Sequence, residues 1–186
     1  MTINIALLRG INVSGHKPVP MADLKAMFAK LGFKDAKTYI QSGNVVFRNE
    51  GKDPGKSAKV IEAGILKTFG YEVPVIVRTA DQMAAVVKAN PWRKKKLAES
   101  ERVHISYLDQ APSKEAAAAL SLVPGGKDEL ILAGTEAFIL ARGGYGNCVF
   151  SNSLLEKKLK VRSTTRNLET TMKLLALTEG IGSEGI

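Results

Sequence analysis

The feature that most constrains this chain is the way its hydrophobic period switches between strand-like and helix-like along the first 79 residues. Ile3-Asn4-Ile5-Ala6-Leu7-Leu8 is a mostly apolar run, so residues 3–9 read as a buried strand. After Pro20, the positions of Met21, Leu24, Met27, Phe28 and Leu31 follow the 3.6-residue period of a helix that Gly32 ends. Residues 37–41 and 44–48 are two β-rich runs around Ser42-Gly43, where a glycine tolerates the positive φ of a tight turn; they read as a hairpin. A polar stretch, residues 49–56, leads to a second amphipathic pattern carried by Val60, Ile61, Ile65, Leu66 and Phe69, and residues 74–78 form a fourth strand. The order βαββαβ is that of a ferredoxin-like unit.

A similar succession follows without visible residue identity. Residues 103–108 read as a strand, 113–122 as a helix, and 129–133 and 136–142 as two strands around Gly134-Thr135. Helices are expected near residues 153–159 and 166–177, and Ser153 with Glu156 fits the spacing of a capping box. The tail from Gly180 is expected to fray. The predicted class is α+β with two subdomains: residues 1–79 ferredoxin-like, residues 102–186 a related βαββ unit followed by C-terminal helices. Residues 80–101 join them through a short helix that Pro91 stops, and a basic loop of Arg93, Lys94, Lys95 and Lys96 beside Trp92.

Of the 186 residues 45% are hydrophobic and 24% charged, the balance of a globular chain. The longest apolar stretches, such as residues 5–8 and 130–133, fall far short of the ~20 residues of a spanning helix, so no membrane partner is expected. The N-terminus lacks a basic region, a long apolar stretch and a cleavage site, which predicts no signal peptide and a cytoplasmic location. Cys148 is the single cysteine, and with only His16 and His104 beside it there is no metal-ligand spacing. The net charge of +9 suits an anionic partner and equally suits simple solubility.

In a ferredoxin-like sheet the first and third strands are antiparallel neighbours, which brings Arg9 and Gly10 near Asn44. Two polar loops then meet at one sheet edge. The first carries Arg9, Gly10, Asn12, Ser14, Gly15, His16 and Lys17, the second Gln41, Ser42, Gly43 and Asn44. Glycine N–H groups beside Arg9, Lys17 and Asn12 suit an anion; the same residues equally suit turn geometry and strand capping. Gly10 and Gly15 have the separation of a P-loop, but His16 follows, Lys17 comes one place late, and Pro18 and Pro20 delay the helix. A dinucleotide fingerprint is absent too, since Gly144 and Gly146 are followed by Cys148 and Val149.

A second candidate is Arg162-Ser163-Thr164-Thr165-Arg166-Asn167, two hydroxyls between arginines at an expected helix start, an arrangement suited to phosphate or carboxylate. Thr165 as a helix cap between solvated arginines is the plainer account. There is no G-x-S-x-G elbow, and two histidines favour no nucleophilic pairing. His104 alternates with apolar neighbours and reads as structural, while His16 sits in the polar loop. The aromatic pattern of an RNA-recognition sheet is missing; Tyr39 and Phe47 read as packing residues and the basic run after Trp92 as solvated.

Three separated blocks resemble a known family: Ala6-Leu7-Leu8-Arg9-Gly10-Ile11-Asn12-Val13, Tyr39-Ile40-Gln41-Ser42-Gly43-Asn44-Val45-Val46-Phe47, and Thr164-Thr165-Arg166-Asn167. They are similar to the hallmark blocks of the bacterial domain-of-unknown-function family 1697. The resemblance implies a small cytoplasmic protein of two α+β subdomains, the first ferredoxin-like, and brings no activity, cofactor or catalytic residue with it. Family members often carry Trp after Thr-Thr-Arg-Asn, where this chain has Leu168.

The leading expectation is a binding protein for a small anionic or phosphorylated ligand. Its contacts would be Arg9, Gly10, Asn12, His16, Lys17, Gln41, Ser42 and Asn44, with Arg162, Thr164, Thr165, Arg166 and Asn167 as a third side. One alternative is an enzyme on such a ligand with His16 as general acid or base. Another, less favoured, is non-specific nucleic-acid binding through distributed Lys and Arg. The motifs point to no cofactor and do not encode an oligomeric state.

Overall fold

The apolar N-terminal run forms strand β1 (Thr2–Leu8) in a computed structural model that describes residues 1–13, 15–51 and 53–182. Helix α1 (Met21–Lys30), strands β2 (Lys34–Tyr39) and β3 (Asn44–Asn49), helix α2 (Pro54–Phe69) and strand β4 (Val75–Thr79) follow. The strands make one antiparallel sheet of order β2-β3-β1-β4. Its register sets Ala6 opposite Val45 and Val77, so the apolar positions of three strands share one face. Leu24, Met27 and Phe28 of α1 and Ala58, Ile61 and Ile65 of α2 cover that face. Phe28, Phe33 and Phe47 meet there with ring centroids 4.7 to 5.6 Å apart. Ile5 and Leu7 on the other face are buried as well, which is why β1 reads as an apolar run rather than a clean alternation.

Element boundaries differ from expectation where capping chemistry decides them. The polar stretch between β3 and α2 is short, because Asp53 caps α2 by accepting from the Gly55 and Lys56 amides, and Pro54 starts the helix. Lys52 lies outside the described residues. β2 begins earlier than expected, at Lys34, and leaves Ile40, Gln41, Ser42 and Gly43 as a four-residue turn.

The second series runs through helix α3 (Ala80–Ala89), strand β5 (Glu101–Leu108), helix α4 (Lys114–Ser121), strands β6 (Glu129–Ala133) and β7 (Glu136–Arg142), and a 3-10 turn at Tyr145–Asn147. Helix α5 (Asn152–Leu159), strand β8 (Ser163–Asn167) and helix α6 (Leu168–Gly182) complete it. The expected βαββ unit followed only by helices is corrected here: residues 163–167 are a fourth strand. Thr164 and Thr165 are β-branched, and β8 pairs antiparallel with β5 from Leu108↔Ser163 to His104↔Asn167. The second sheet has the order β6-β7-β5-β8, the first order with every number advanced by four. The capping-box expectation at Ser153 is corrected too. Ser151 caps α5, accepting from the Leu154 amide, and Glu156 accepts from the Ser163 amide at 2.8 Å, tying α5 to β8. Residues 183–186 of the expected frayed tail lie outside the described residues.

The described chain is thus mixed α/β with two four-stranded antiparallel sheets. It divides into two compact units, Met1–Ala84 with the segment from Met172, and Ala85–Thr171. In the second, Glu101 is a charged anchor: its carboxylate accepts from the Ala98 amide at 2.9 Å, Arg142 Nε at 2.8 Å and Lys95 Nζ at 3.0 Å. Arg142 also donates to Glu129 and to the Lys127 carbonyl. Lys95 therefore turns toward the sheet, while Arg93, Lys94 and Lys96 are exposed and Trp92 is buried.

The Ala98 amide, then Arg142, then Lys95 hold the Glu101 carboxyl down from 4.5 to about 2. A depressed carboxyl contributes stability that is present above its ordinary value and lost as pH falls through the folded one. Glu101→Gln should therefore lower the urea midpoint at neutral pH, with the gap from wild type constant down to about pH 4.5 and closing toward pH 2. Urea melts of both proteins across that range check it; a gap that persists undiminished near pH 2 contradicts it.

Candidate functional site

Where β1 ends, β3 begins and β4 begins, the first unit gathers its polar loops. The register that sets Leu7 beside Asn44 makes this unavoidable, because the chain must leave β1 next to the turn that enters β3. The junction is pinned by Asn12. Its Oδ1 accepts from the Val19 amide at 2.8 Å, its Nδ2 donates to the carbonyls of Val19 at 3.0 Å and Gln41 at 2.9 Å, and its own N–H donates to the Lys17 carbonyl at 3.1 Å. Oδ1 faces a donor and Nδ2 faces two acceptors, so the amide has one orientation that satisfies all its neighbours.

Other bonds complete the frame. Leu8 N–H donates to Gly43 O, Arg9 N–H to Pro74 O, and Lys17 Nζ to Glu72 O at 2.6 Å. The turn packs tightly on the loop: a Cβ added at Gly43 would stand 2.7 Å from Ile11 Cδ1 and 2.8 Å from Leu8 Cβ, and φ there is +79°. Only glycine meets both conditions. Asn44 is fully buried and donates to Tyr39 O and Ser42 Oγ, closing the turn from inside.

The frame is strained. Among the described residues five other than glycine have positive φ, and three of them, Asn12 (54°), Lys17 (47°) and Ile40 (49°), belong to these two loops. Asn tolerates the left-handed region, whereas a β-branched Ile there is an outlier. Gly10, Gly15, His16 and Gln41 are exposed, Arg9, Asn12, Lys17 and Ser42 are half-buried, and Ser14 lies outside the described residues.

The structure therefore brings the 9–17 and 41–44 loops together as the sequence predicts, and assigns several of their residues to holding the frame. Asn12, Ser42 and Asn44 are engaged with backbone and with one another. Sequence reasoning missed Glu72 and Pro74, which carry no motif, and Ile40, whose backbone conformation an apolar side chain does not announce.

The 162–167 segment belongs to the second unit and departs from the expected helix start. Arg162 is committed to Asp109, with its N–H on Oδ1 at 2.9 Å and its Nε on Oδ2 at 3.0 Å. Arg166 is buried in the sheet and donates to Thr164 Oγ1 and Thr165 O; burial pushes its guanidinium down to about 10. Asn167 takes the capping role expected of Thr165, with Oδ1 accepting from the Thr170 amide at 2.7 Å. Thr165 instead joins a hydroxyl cluster with Ser106 at 2.5 Å, Tyr145 at 3.0 Å and Asn152 Oδ1 at 2.8 Å. Ser163 donates to the same Asn152 oxygen. Among the described residues no group of His, Cys, Asp and Glu could hold a metal ion, and no helix is long and apolar enough to cross a membrane.

Two antiparallel sheets with their own helices, and a pinned polar loop pair at the end of the first, define a two-unit α/β protein whose surface loops carry its polar candidate site. The chain belongs to the family described as "Protein of unknown function (DUF1697)", whose model matches residues 1–138. It is similar in fold to a solved structure, the conserved bacterial protein SP0830 from Streptococcus pneumoniae, with 21% identity over 94% of this chain and 97% of that one and a TM-score of 0.75. An unknown protein from Galdieria sulphuraria shares 13% identity over 89% of this chain and 98% of that one, with a TM-score of 0.28. No curated protein matches the chain.

Asn12→Ala should cost about 1–3 kcal/mol, because it leaves the Val19 amide and two carbonyls without their partner. Ile40→Gly should leave the melting point unchanged or raise it, since relief of the left-handed strain offsets the entropy of glycine, each about 1 kcal/mol. Thermal melts of the two variants check both; a stable Asn12→Ala protein would contradict the pinning role.

Proposed function

We propose that this protein binds a small anionic ligand, phosphorylated or carboxylated, at the 9–17 loop with the 40–44 turn beside it. The observation that carries this reading is that the strain and the hydrogen bonds are concentrated in two surface loops. Left-handed Asn12, Lys17 and Ile40 are held by the Asn12 pin while Gly10, Gly15 and His16 stay exposed. Strain maintained in a loop is commonest where a ligand uses the pre-organised geometry. The charge agrees: residues 9–17 and 40–44 contain Arg9, His16 and Lys17 and no acidic residue. In this reading Arg9 and His16 are the contacts, Lys17 adds positive charge from its place on the Glu72 carbonyl, and Asn12, Ser42 and Asn44 position the loops. Arg162, Thr164, Thr165, Arg166 and Asn167 are left to the second unit's own bonding.

We also read each unit as ferredoxin-like. The orders β2-β3-β1-β4 and β6-β7-β5-β8, reached through a βαββαβ succession with antiparallel neighbours throughout, support that assignment.

Titration calorimetry with inorganic phosphate, pyrophosphate, succinate and a mixed-sequence oligonucleotide tests the reading. Saturable binding of at least one small anion is expected. Arg9→Ala and His16→Ala should each weaken it about tenfold or more, which corresponds to about 1.4 kcal/mol, and His16→Ala should leave the melting point unchanged because His16 is exposed. Failure of all three anions to saturate, or full affinity in Arg9→Ala, overturns the proposal. Oligonucleotide binding alone, falling steeply with log salt, would favour the nucleic-acid reading instead.

A further inference from the structure

Away from that loop pair, the second unit holds a half-buried histidine, His104, with one ring nitrogen enclosed. His104 Nδ1 has no measurable exposure and no hydrogen-bond partner, an uncommon condition for a ring nitrogen. Its ring is stacked on Tyr145, with centroids 4.6 Å apart and planes 24° from parallel. Tyr145 is in turn fastened by its hydroxyl to Thr165, and so to the Ser106, Asn152 and Ser163 cluster.

The segment that carries Tyr145 begins at two glycines. Gly143 (φ 106°) and Gly144 (φ 89°) precede it in conformations that side chains rarely adopt. The Asp128 carboxylate brackets it, accepting from the Arg142 amide at 2.8 Å before it and the Val149 amide at 3.2 Å after it. Asn147 N–H to Gly144 O at 3.3 Å and Cys148 N–H to Tyr145 O at 3.1 Å close the turn itself, and Gly143 N–H donates to Ser100 O at 3.1 Å.

We infer that His104 and Tyr145 form an acid-sensitive latch: neutral His104 holds the 143–148 segment closed over the Ser106 and Thr165 hydroxyls, and protonation of His104 releases it. The groups facing His104 are Arg102 on its own strand, Tyr145 on the segment, and the register partners Asn167 on β8 and Ile139 on β7, none of them a carboxylate. Cys148, with Asp128 behind it, adjoins Tyr145. Burial, with the Arg102 charge as a lesser influence in the same direction and the Arg102 backbone opposing, disfavours the charged ring in the closed state. An open state in which the whole His104 ring is hydrated has the ordinary value near ~6.5 and binds the proton more tightly, so acidification shifts the population toward it.

Hydrogen exchange followed by NMR at several pH values, corrected for the intrinsic pH dependence of exchange, tests the latch on the full chain. Protection of the Asn147 and Cys148 amides should fall up to about tenfold per pH unit below ~6.5, while the amides of β5 and β7 keep theirs. In His104→Phe, which stacks but does not titrate, the fall should vanish. The inference is overturned if protection in wild type is flat with pH, if His104→Phe shows the same fall, or if every amide of the unit loses protection together.

Discussion

Each sheet depends on its first strand, one of the two interior strands paired along both edges. β1 is bonded to β3 on one side and β4 on the other, and β5 stands in the same relation to β7 and β8. A strand in that position cannot shift register without dragging two neighbours and turning its apolar face outward. The convergence of polar loops at the end of β1 follows from this constraint. Once Leu7 is opposite Asn44 and Ile76, the exit of β1 and the entries of β3 and β4 must share one patch of surface. At the corresponding place in the second unit Leu108 N–H meets Thr135 O, and Asp109 N–H meets Arg162 O, as Leu8 N–H meets Gly43 O and Arg9 N–H meets Pro74 O in the first. Two sequences without visible identity have arrived at the same hydrogen-bond plan.

That plan was legible wherever hydrophobic period alone decides structure. β1, α1, α2, β6 and β7 lie close to where the spacing of their apolar residues puts them. It was not legible in Ser163-Thr164-Thr165-Arg166-Asn167, a segment with no apolar residue at all. Hydroxyl and arginine side chains are as much at home in a helix cap as in a strand, and only the open edge of β5 selects between them. Ser153 misled for a related reason, since Ser151 two places earlier offers the same cap and Glu156 finds a better donor in Ser163. The loop pair was visible as a place and not as a mechanism. Asn12 looked like a ligand contact, and its amide is consumed in holding Val19 and Gln41 together. His104 looked like an ordinary strand residue, because nothing in the sequence says that a tyrosine far along the chain will lie on its ring.

The two units divide their polar chemistry in different ways. In the first, half-buried Arg9 and Lys17 sit on loops whose backbone is fixed by hydrogen bonds. In the second, polar groups are drawn inward: Glu101 is tied by three donors, Arg166 lies in the sheet, and four hydroxyl or amide side chains share one network around Thr165. Buried networks of that kind specify a single packing when every member is satisfied, and the enclosed Nδ1 of His104, whose ring lies on Tyr145 beside the network, has no such partner.

The close approach of Gly43 to Ile11 and Leu8 also bears on how such a chain can be re-engineered. The connection between β2 and β3 is not an interchangeable hairpin tip. A grafted epitope, a shortened turn or an inserted tag at residues 40–43 would wedge apart the first loop and the strand behind it. A change of shape in one loop is therefore felt by the other, even though 23 residues of chain lie between Lys17 and Gln41.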